Sequence, residues 1–210
     1  MKLRRIAEST VRRLSLYLSF LEEIEAHGVT TTSSDDLAHL GGTTSAQVRK
    51  DLSFFGSFGK RGLGYSVPEL SSRLRAILGL GRQWRVCIIG AGRIGAALTG
   101  YAGFVERGFI VSGVYDSDPA KIGTDWGDLI VADEANLEQD IAANNYQIAV
   151  LAVPADAAQK LADRVVRAGI KGILNFAPVQ LAVPPHVALR AVNMAMELEA
   201  LTFAITNNGA

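Results

Sequence analysis

WRVCIIGAGRIG, residues 84–95, decides the fold. RVCII is a short apolar run of the buried-strand type, and the IGAALTGY behind it has helical spacing. Between them Gly90, Gly92 and Gly95 stand in the G-x-G-x-x-G order of a dinucleotide-binding turn. Gly90 permits the tight turn, and Gly92 lets the backbone approach a pyrophosphate with no Cβ in the way. Gly95 lets the helix pack close to the strand. The first amides of that helix then face the phosphates, so Gly90, Ala91, Gly92, Arg93, Ile94 and Gly95 are candidate cofactor-binding residues.

The pattern continues downstream. FIVSGVYD, IAVLAVP and KGILNF are further strand-like runs, with helical patterns such as AAQKLADRVVRAG between them. Such alternation predicts βαβ units and a parallel, Rossmann-like sheet, an α/β fold. FIVSGVYD ends in Asp116, 21 residues beyond Gly95. A carboxylate at that strand end can accept hydrogen bonds from both adenosine ribose hydroxyls. It would repel a 2′-phosphate, and no Arg follows it directly, so NAD⁺ and NADH are favoured over their phosphorylated counterparts. Val153 and Pro154, after IAVLAVP, fall at the carboxyl edge of the sheet beside the cofactor.

Upstream, residues 43–65 read TTSAQVRKDLSFFGSFGKRGLGY. Thr44 or Ser45 caps a helix in which Val48, Leu52 and Phe55 face inward. Ser45, Gln47, Arg49, Lys50 and Ser53 near its start offer the donors that read base edges and phosphates in a major groove. Gly56, Gly59, Gly62 and Gly64 punctuate a hairpin whose Lys60 and Arg61 suit a minor groove or a phosphate. Residues 10–26 form an amphipathic helix stopped at Gly28, SSDDLAHL a second helix, and Gly41-Gly42 a turn. Three helices and a basic wing in this order predict a winged helix-turn-helix. Pro68 opens another helix, PELSSRLRAILG, and the boundary falls near 81–83. The expected layout is a DNA-binding domain over 1–81, a cofactor domain over 82–192 and an apolar helical tail over 193–210.

Charge agrees with that division. The chain is neutral overall, but residues 1–82 carry 12 Lys and Arg against 8 Asp and Glu, and residues 83–210 carry 9 against 13. A basic front and an acidic back fit a nucleic-acid module joined to a different one. The lone Cys87 excludes an intrachain disulfide and a cysteine-rich metal site. No apolar run approaches the ~18 residues of a membrane span. A soluble cytoplasmic protein without membrane partners is expected.

QVRKDLSFFGSFGKRGLGY, then GAGRIG, then DSDPAKIG (Asp116 to Gly123), then GIKGILNFAP (Gly169 to Pro178) resemble the Rex family of redox-sensing transcriptional repressors. The resemblance runs in order through nearly the whole chain. It implies a homodimer on palindromic operator DNA, with the tail helix swapped into the partner. NAD⁺ would support DNA binding and NADH would drive release. Tyr101 would lie near the nicotinamide, and Met194, Asn175 and Pro178 are candidates for sensing that ring. Two positions depart from the family pattern: Asn193 stands for an Asp, and Ser19 for an Arg that pairs with it in some members. A paralogue with weakened redox discrimination, sensing another nucleotide, is therefore the alternative. A plain CoA- or nucleotide-binding module is a further one, against which Asp116 argues. An NAD-dependent dehydrogenase fares worse. Of its possible acids, His27 and His39 fall in the N-terminal module, and His186 has no carboxylate nearby in sequence.

Overall fold

The computed structural model describes residues 6–59 and 63–207. The chain divides into two compact units, Met1–Arg82 and Gln83–Ala210.

In the first unit, helix α1 (Glu8–Ala26) is followed by the two-residue strand β1 (Thr31–Thr32), then α2 (Ser34–Leu40) and α3 (Ser45–Ser53). Strand β2 (Tyr65–Ser66) and helix α4 (Val67–Ile77) complete it. Ser33 caps α2 in a reciprocal box: its hydroxyl accepts from the Asp36 amide, and its own amide donates to the Asp36 carboxylate at 2.8 Å. Thr44 caps α3 by accepting from the Gln47 amide. Leu14, Leu18 and Leu21 of α1, Val48 and Leu52 of α3, and Leu70 and Leu74 of α4 form one buried core. The tip of the hairpin expected between 56 and 64 lies outside the described residues. The strand after the glycines, β2, pairs antiparallel with β1 across the unit, Thr32 opposite Tyr65. Lys60 and Arg61 lie outside the described residues.

The second unit is a seven-stranded sheet. Its strands are β3 (Trp84–Ile89), β4 (Phe109–Asp116), β5 (Asp125–Trp126), β6 (Leu129–Asp133), β7 (Ile148–Leu151), β8 (Gly172–Asn175) and β9 (Ala188–Ala191). Their order is β5-β6-β4-β3-β7-β8-β9, all parallel except β5 against β6. Helices α5 (Arg93–Thr99), α6 (Ala102–Glu106), α7 (Leu137–Asn144), α8 (Ala155–Arg167) and α9 (Met194–Asn207) accompany it. Side chains along β3 alternate between two cores, as a doubly covered strand requires. Cys87 and Ile89 pack with Leu137 and Ile141 of α7 and with Leu161 and Val165 of α8. Val86 and Ile88 pack with Val114, Val131 and Val150, and Leu98 of α5 lies against that face.

The helix expected of IGAALTGY ends at Gly100, which caps α5, and Tyr101 opens α6. The stretch VPPHVAL, which carries no strand signal, leads into the edge strand β9. Helix α9 has no buried residue, and Met194, Met196, Leu198, Leu201, Phe203 and Ile205 are each more than half exposed.

Arg164 of α8 ties the two outer helices together. It donates to Glu138 at 2.6 Å and to the Glu134 carboxylate at 2.6 Å. These hydrogen bonds hold the Glu138 carboxyl down to about 2, against an ordinary 4.5. A carboxyl lowered by folding contributes fully above its unfolded value and loses that contribution as pH falls through the folded one. Thermal melts from about pH 6 to pH 2 should therefore show Glu138→Gln losing less stability on acidification than the parent. At the helix–strand contact, a Cβ on Gly95 would collide with the Gly90 carbonyl oxygen, whereas one on Gly92 meets nothing within 4 Å. Gly95→Ala should cost ~1–3 kcal/mol in urea unfolding, and Gly92→Ala should leave the midpoint nearly unchanged.

Candidate functional site

The chain runs from β3 outward through β4 and β6, then returns to the other side of β3 for β7, β8 and β9. The crevice between β3 and β7 is thus a topological switch point, where open α/β sheets bind ligands at their carboxyl ends. Backbone bonds lock its rim. The Gly90 amide donates to the Tyr115 carbonyl and the Ala152 amide to the Ile89 carbonyl, both at 2.8 Å. Gly90 has φ +105, a conformation that favours glycine, and a Cβ there would strike the Ala152 carbonyl. Gly92 caps α5 without a side chain, so no side-chain acceptor covers the first-turn amides. Ala91 and Gly95 are buried, whereas Gly92, Arg93 and Ile94 face outward.

Asp116 ends β4 beneath this turn. Its Oδ2 accepts from the Ala91 amide at 2.8 Å and from Lys121 Nζ at 2.9 Å, and its Oδ1 accepts from the Asp118 amide at 2.9 Å. Burial pushes this carboxyl up, but those hydrogen bonds and the Lys121 charge outweigh it and hold the group below the usual carboxylate range. Asp116 is therefore ionised and aligned. Lys121 was not anticipated as part of the site. The signal for it lay in the DSDPAK spacing, which returns a cation to the strand end one turn later. It partly neutralises the carboxylate and so tempers the repulsion expected of Asp116 towards a 2′-phosphate.

The other candidates fall in different settings. Val153 and Pro154 follow β7 at the same carboxyl edge, with Pro154 exposed at the start of α8. Asn175 ends β8, is buried, and spends its side chain on its own loop. Its amide donates to the carbonyls of Ala177 and Val179, and its oxygen accepts from the Ala177 amide. It shapes the loop that carries the exposed Pro178 rather than reaching out of it. The Val192 amide donates to the Asn175 carbonyl at 2.8 Å, which brings the start of α9 to this loop. Asn193 caps α9 by accepting from the amides of Ala195 and Met196, and Met194 beside it is 69% exposed. Tyr101 stacks edge-on against Phe104 and lines a cavity of about 520 Å³ with Thr99, Phe109 and Trp126. Cys87 is fully buried in β3, and burial pushes its thiol up to about 12.

In the first unit, α3 buries Val48 and Leu52 and leaves Arg49 and Lys50 exposed, as its spacing predicts. Arg49 donates to Ser34 at the start of α2 at 2.8 Å. The Ser53 hydroxyl donates to the Lys50 carbonyl, and Ser45 is half-buried at the first turn. Gln47 turns inward: its amide donates to Asp51 Oδ1 at 2.8 Å. Asp51 is fully buried and also receives Arg13, Tyr17 and Thr10 from α1. Burial pushes the Asp51 carboxyl up, and the bonds from Arg13 and Gln47, with the Arg13 charge, bring it below the ordinary range. Burial likewise pushes the Tyr17 hydroxyl up to about 12. Sequence reasoning missed this cluster, although Asp51 is the sole acid between residues 43 and 65.

Comparison with known proteins agrees with both halves. Residues 5–53 match a family described as "Putative DNA-binding protein N-terminus", and residues 81–179 match "CoA binding domain". The redox-sensing transcriptional repressor Rex of Desulfitobacterium hafniense is 48% identical over 205 residues, 98% of each chain. The Rex of Thermus thermophilus is 50% identical over 203 residues, 97% of this chain and 95% of that one. The solved structure of RSP in complex with β-NAD⁺ and operator DNA superposes with TM-score 0.92 and 39% identity, covering 98% of this chain and 95% of that one. RSP in complex with β-NADH gives 0.89 and 37%, covering 98% and 97%. Identity of this extent over both lengths leaves one conclusion: the chain belongs to the Rex family of redox-sensing transcriptional repressors.

Proposed function

We propose that this chain is an NADH-responsive transcriptional repressor, not an enzyme. As a homodimer it binds palindromic operator DNA, and it is released when NADH occupies its second unit. The observation that carries this reading is the pairing, in one chain, of an open glycine turn over an ionised Asp116 with a helix that presents Arg49 and Lys50 outward. The full-length likeness to RSP, solved both with β-NADH and with β-NAD⁺ and operator DNA, supports it.

The residues fit a dinucleotide. A Cβ on Gly92 would meet nothing within 4 Å, and Gly90 to Gly95 would hold a pyrophosphate there with backbone amides. Asp116 would accept from the adenosine ribose, with Lys121 fixing its carboxylate. Tyr101, Val153, Pro154, Pro178 and Met194 would face the nicotinamide half, and Asn175 would hold the 175–179 loop in shape. The division of labour is a winged-helix DNA-binding domain over 1–81, an NAD(H) domain over 82–192 and a tail helix exchanged between subunits over 193–210. An exposed apolar α9 supports that exchange, because burying such a face against a partner is strongly favourable. Ser45, Arg49, Lys50 and Ser53, with Lys60 and Arg61, would contact DNA, and Gln47 would act through Asp51. Among the described residues no helix is long and apolar enough to cross a membrane, and a repressor of this kind works in the cytoplasm.

Switching sets an energetic demand. Swinging a two-state dimer from mostly bound to mostly released needs a ligand preference of up to ~5.5 kcal/mol between the states. NAD⁺ and NADH differ only at the nicotinamide ring, so the discrimination must arise there. An apolar neighbour such as Met194 favours the neutral ring over the cation. Asn193 and Ser19 motivate the second reading, a member with altered redox discrimination.

Electrophoretic mobility shifts on an inverted-repeat duplex, with NAD⁺, NADH, NADP⁺ and CoA added in turn, test both readings. Release by NADH alone supports the first, release by another nucleotide the second, and no binding to DNA refutes both. Asp116→Ala should weaken NADH binding by ~10-fold or more in calorimetry and leave the DNA complex intact. Unchanged affinity would remove the ribose contact. Gly92→Ala, which the fold tolerates, should also weaken NADH binding.

A further inference from the structure

Asp51 sits on the inner side of α3 and is fully buried. Its contact with α1 is a two-pronged ion pair: Arg13 Nε donates to Oδ2 at 2.6 Å and Nη2 to Oδ1 at 2.8 Å. The Tyr17 hydroxyl donates to Oδ2 at 3.1 Å, and the Thr10 hydroxyl to Oδ1 at 3.3 Å. From α3 itself Gln47 adds a donor at 2.8 Å. Oδ1 thus accepts from both helices, and Oδ2 from α1 alone.

A buried ion pair is a poor way to gain stability. Taking both charges out of water costs several kcal/mol, and well-packed apolar residues of similar size often do better. What such a pair supplies is orientation. Val48 and Leu52 hold α3 down but allow it to roll, since dispersion contacts are non-directional. A planar guanidinium gripping both carboxylate oxygens does not allow it. Roll matters on a reading helix. A turn of about 20° carries a side-chain tip ~6 Å from the axis through ~2 Å. That is enough to break a hydrogen bond of 2.7–3.2 Å to a base edge. It matters far less to a phosphate contact, which is a diffuse attraction to a chain of charges.

We propose that Asp51 is the positioning residue of the DNA-reading helix: by clamping α3 to Arg13 and Tyr17 of α1 it fixes the roll at which Arg49 and Lys50 meet the bases. It also keeps the Arg13 charge engaged inside the unit, away from phosphates. This rests on the DNA-binding reading above and goes beyond it. It assigns sequence discrimination, as distinct from affinity, to a carboxylate that does not touch DNA.

The test compares the parent, Asp51→Asn and Arg13→Gln/Asp51→Asn by fluorescence anisotropy, on the inverted-repeat duplex and on a scrambled duplex, across a salt series. For Asp51→Asn, operator affinity should fall about tenfold or more while scrambled-duplex affinity holds or rises. The log–log salt slope on scrambled DNA should steepen by ~0.9 as the Arg13 cation is freed. The double variant should restore the slope but not the discrimination. NADH affinity, read on the second unit, should stay at the parent value. A merely structural role would lower both DNA affinities together with no change in slope, and that result overturns the proposal. So does an unchanged operator-to-scrambled ratio. If circular dichroism shows Asp51→Asn unfolded, Arg13→Lys, which keeps the charge but loses the two-pronged grip, takes its place. A severalfold loss of the ratio there supports the clamp, and an unchanged ratio overturns it. A parent protein that prefers neither duplex refutes the DNA-binding reading itself, and the clamp falls with it. A discriminating parent whose variants discriminate equally well removes the clamp alone.

Discussion

The carbonyl of Gly90 governs the second unit. Gly95, one turn into α5, lies so close to it that even a methyl group would not fit. That approach lets the helix begin directly off the end of β3. It also brings the Ala91 amide within reach of Asp116, so a single carboxylate joins the turn to the neighbouring strand. Lys121 then closes the arrangement from the far side of the Asp116–Gly123 loop. The positions of Asp116 and the glycine turn are consequently fixed by one another. Neither could shift without breaking backbone hydrogen bonds at the ends of β3, β4 and β7.

The first unit solves a different problem by different means. Its core is small, built from leucines of α1 and α4 around Val48 and Leu52. Such packing fixes distance between helices better than it fixes rotation. The buried Asp51 cluster supplies the rotational constraint, and the capped starts of α2 and α3 fix where those helices begin. The unit is thus ordered by directional polar bonds laid over a non-directional apolar core.

Much of this was legible in the residues. GAGRIG after RVCII predicts strand, turn and helix, and Asp116 reads correctly as a strand-end carboxylate, because each depends on local spacing. The inward face of α3 follows from periodicity in the same way. The parts that escaped depend on partners distant in the chain. Lys121 becomes significant only once Asp116 faces it. Arg13 and Asp51 are 38 residues apart, and nothing in either neighbourhood announces the other. Gln47 has the chemistry of a base reader, and only the fold reveals that its amide is already engaged. Asn175 has the chemistry of a ligand contact but is consumed by its own loop. Strand β9 lacks an apolar signature because it lies at the sheet edge, where one row of hydrogen bonds to β8 suffices to hold it.

The place of Cys87 carries one more consequence. The chain's single sulfhydryl is sealed inside β3 and held protonated well above neutral pH. Peroxide and small disulfides attack thiolates that they can reach, and this one offers neither charge nor access. That thiol is therefore closed to oxidants, and the chain's one cysteine gives it no direct oxidant-sensing chemistry.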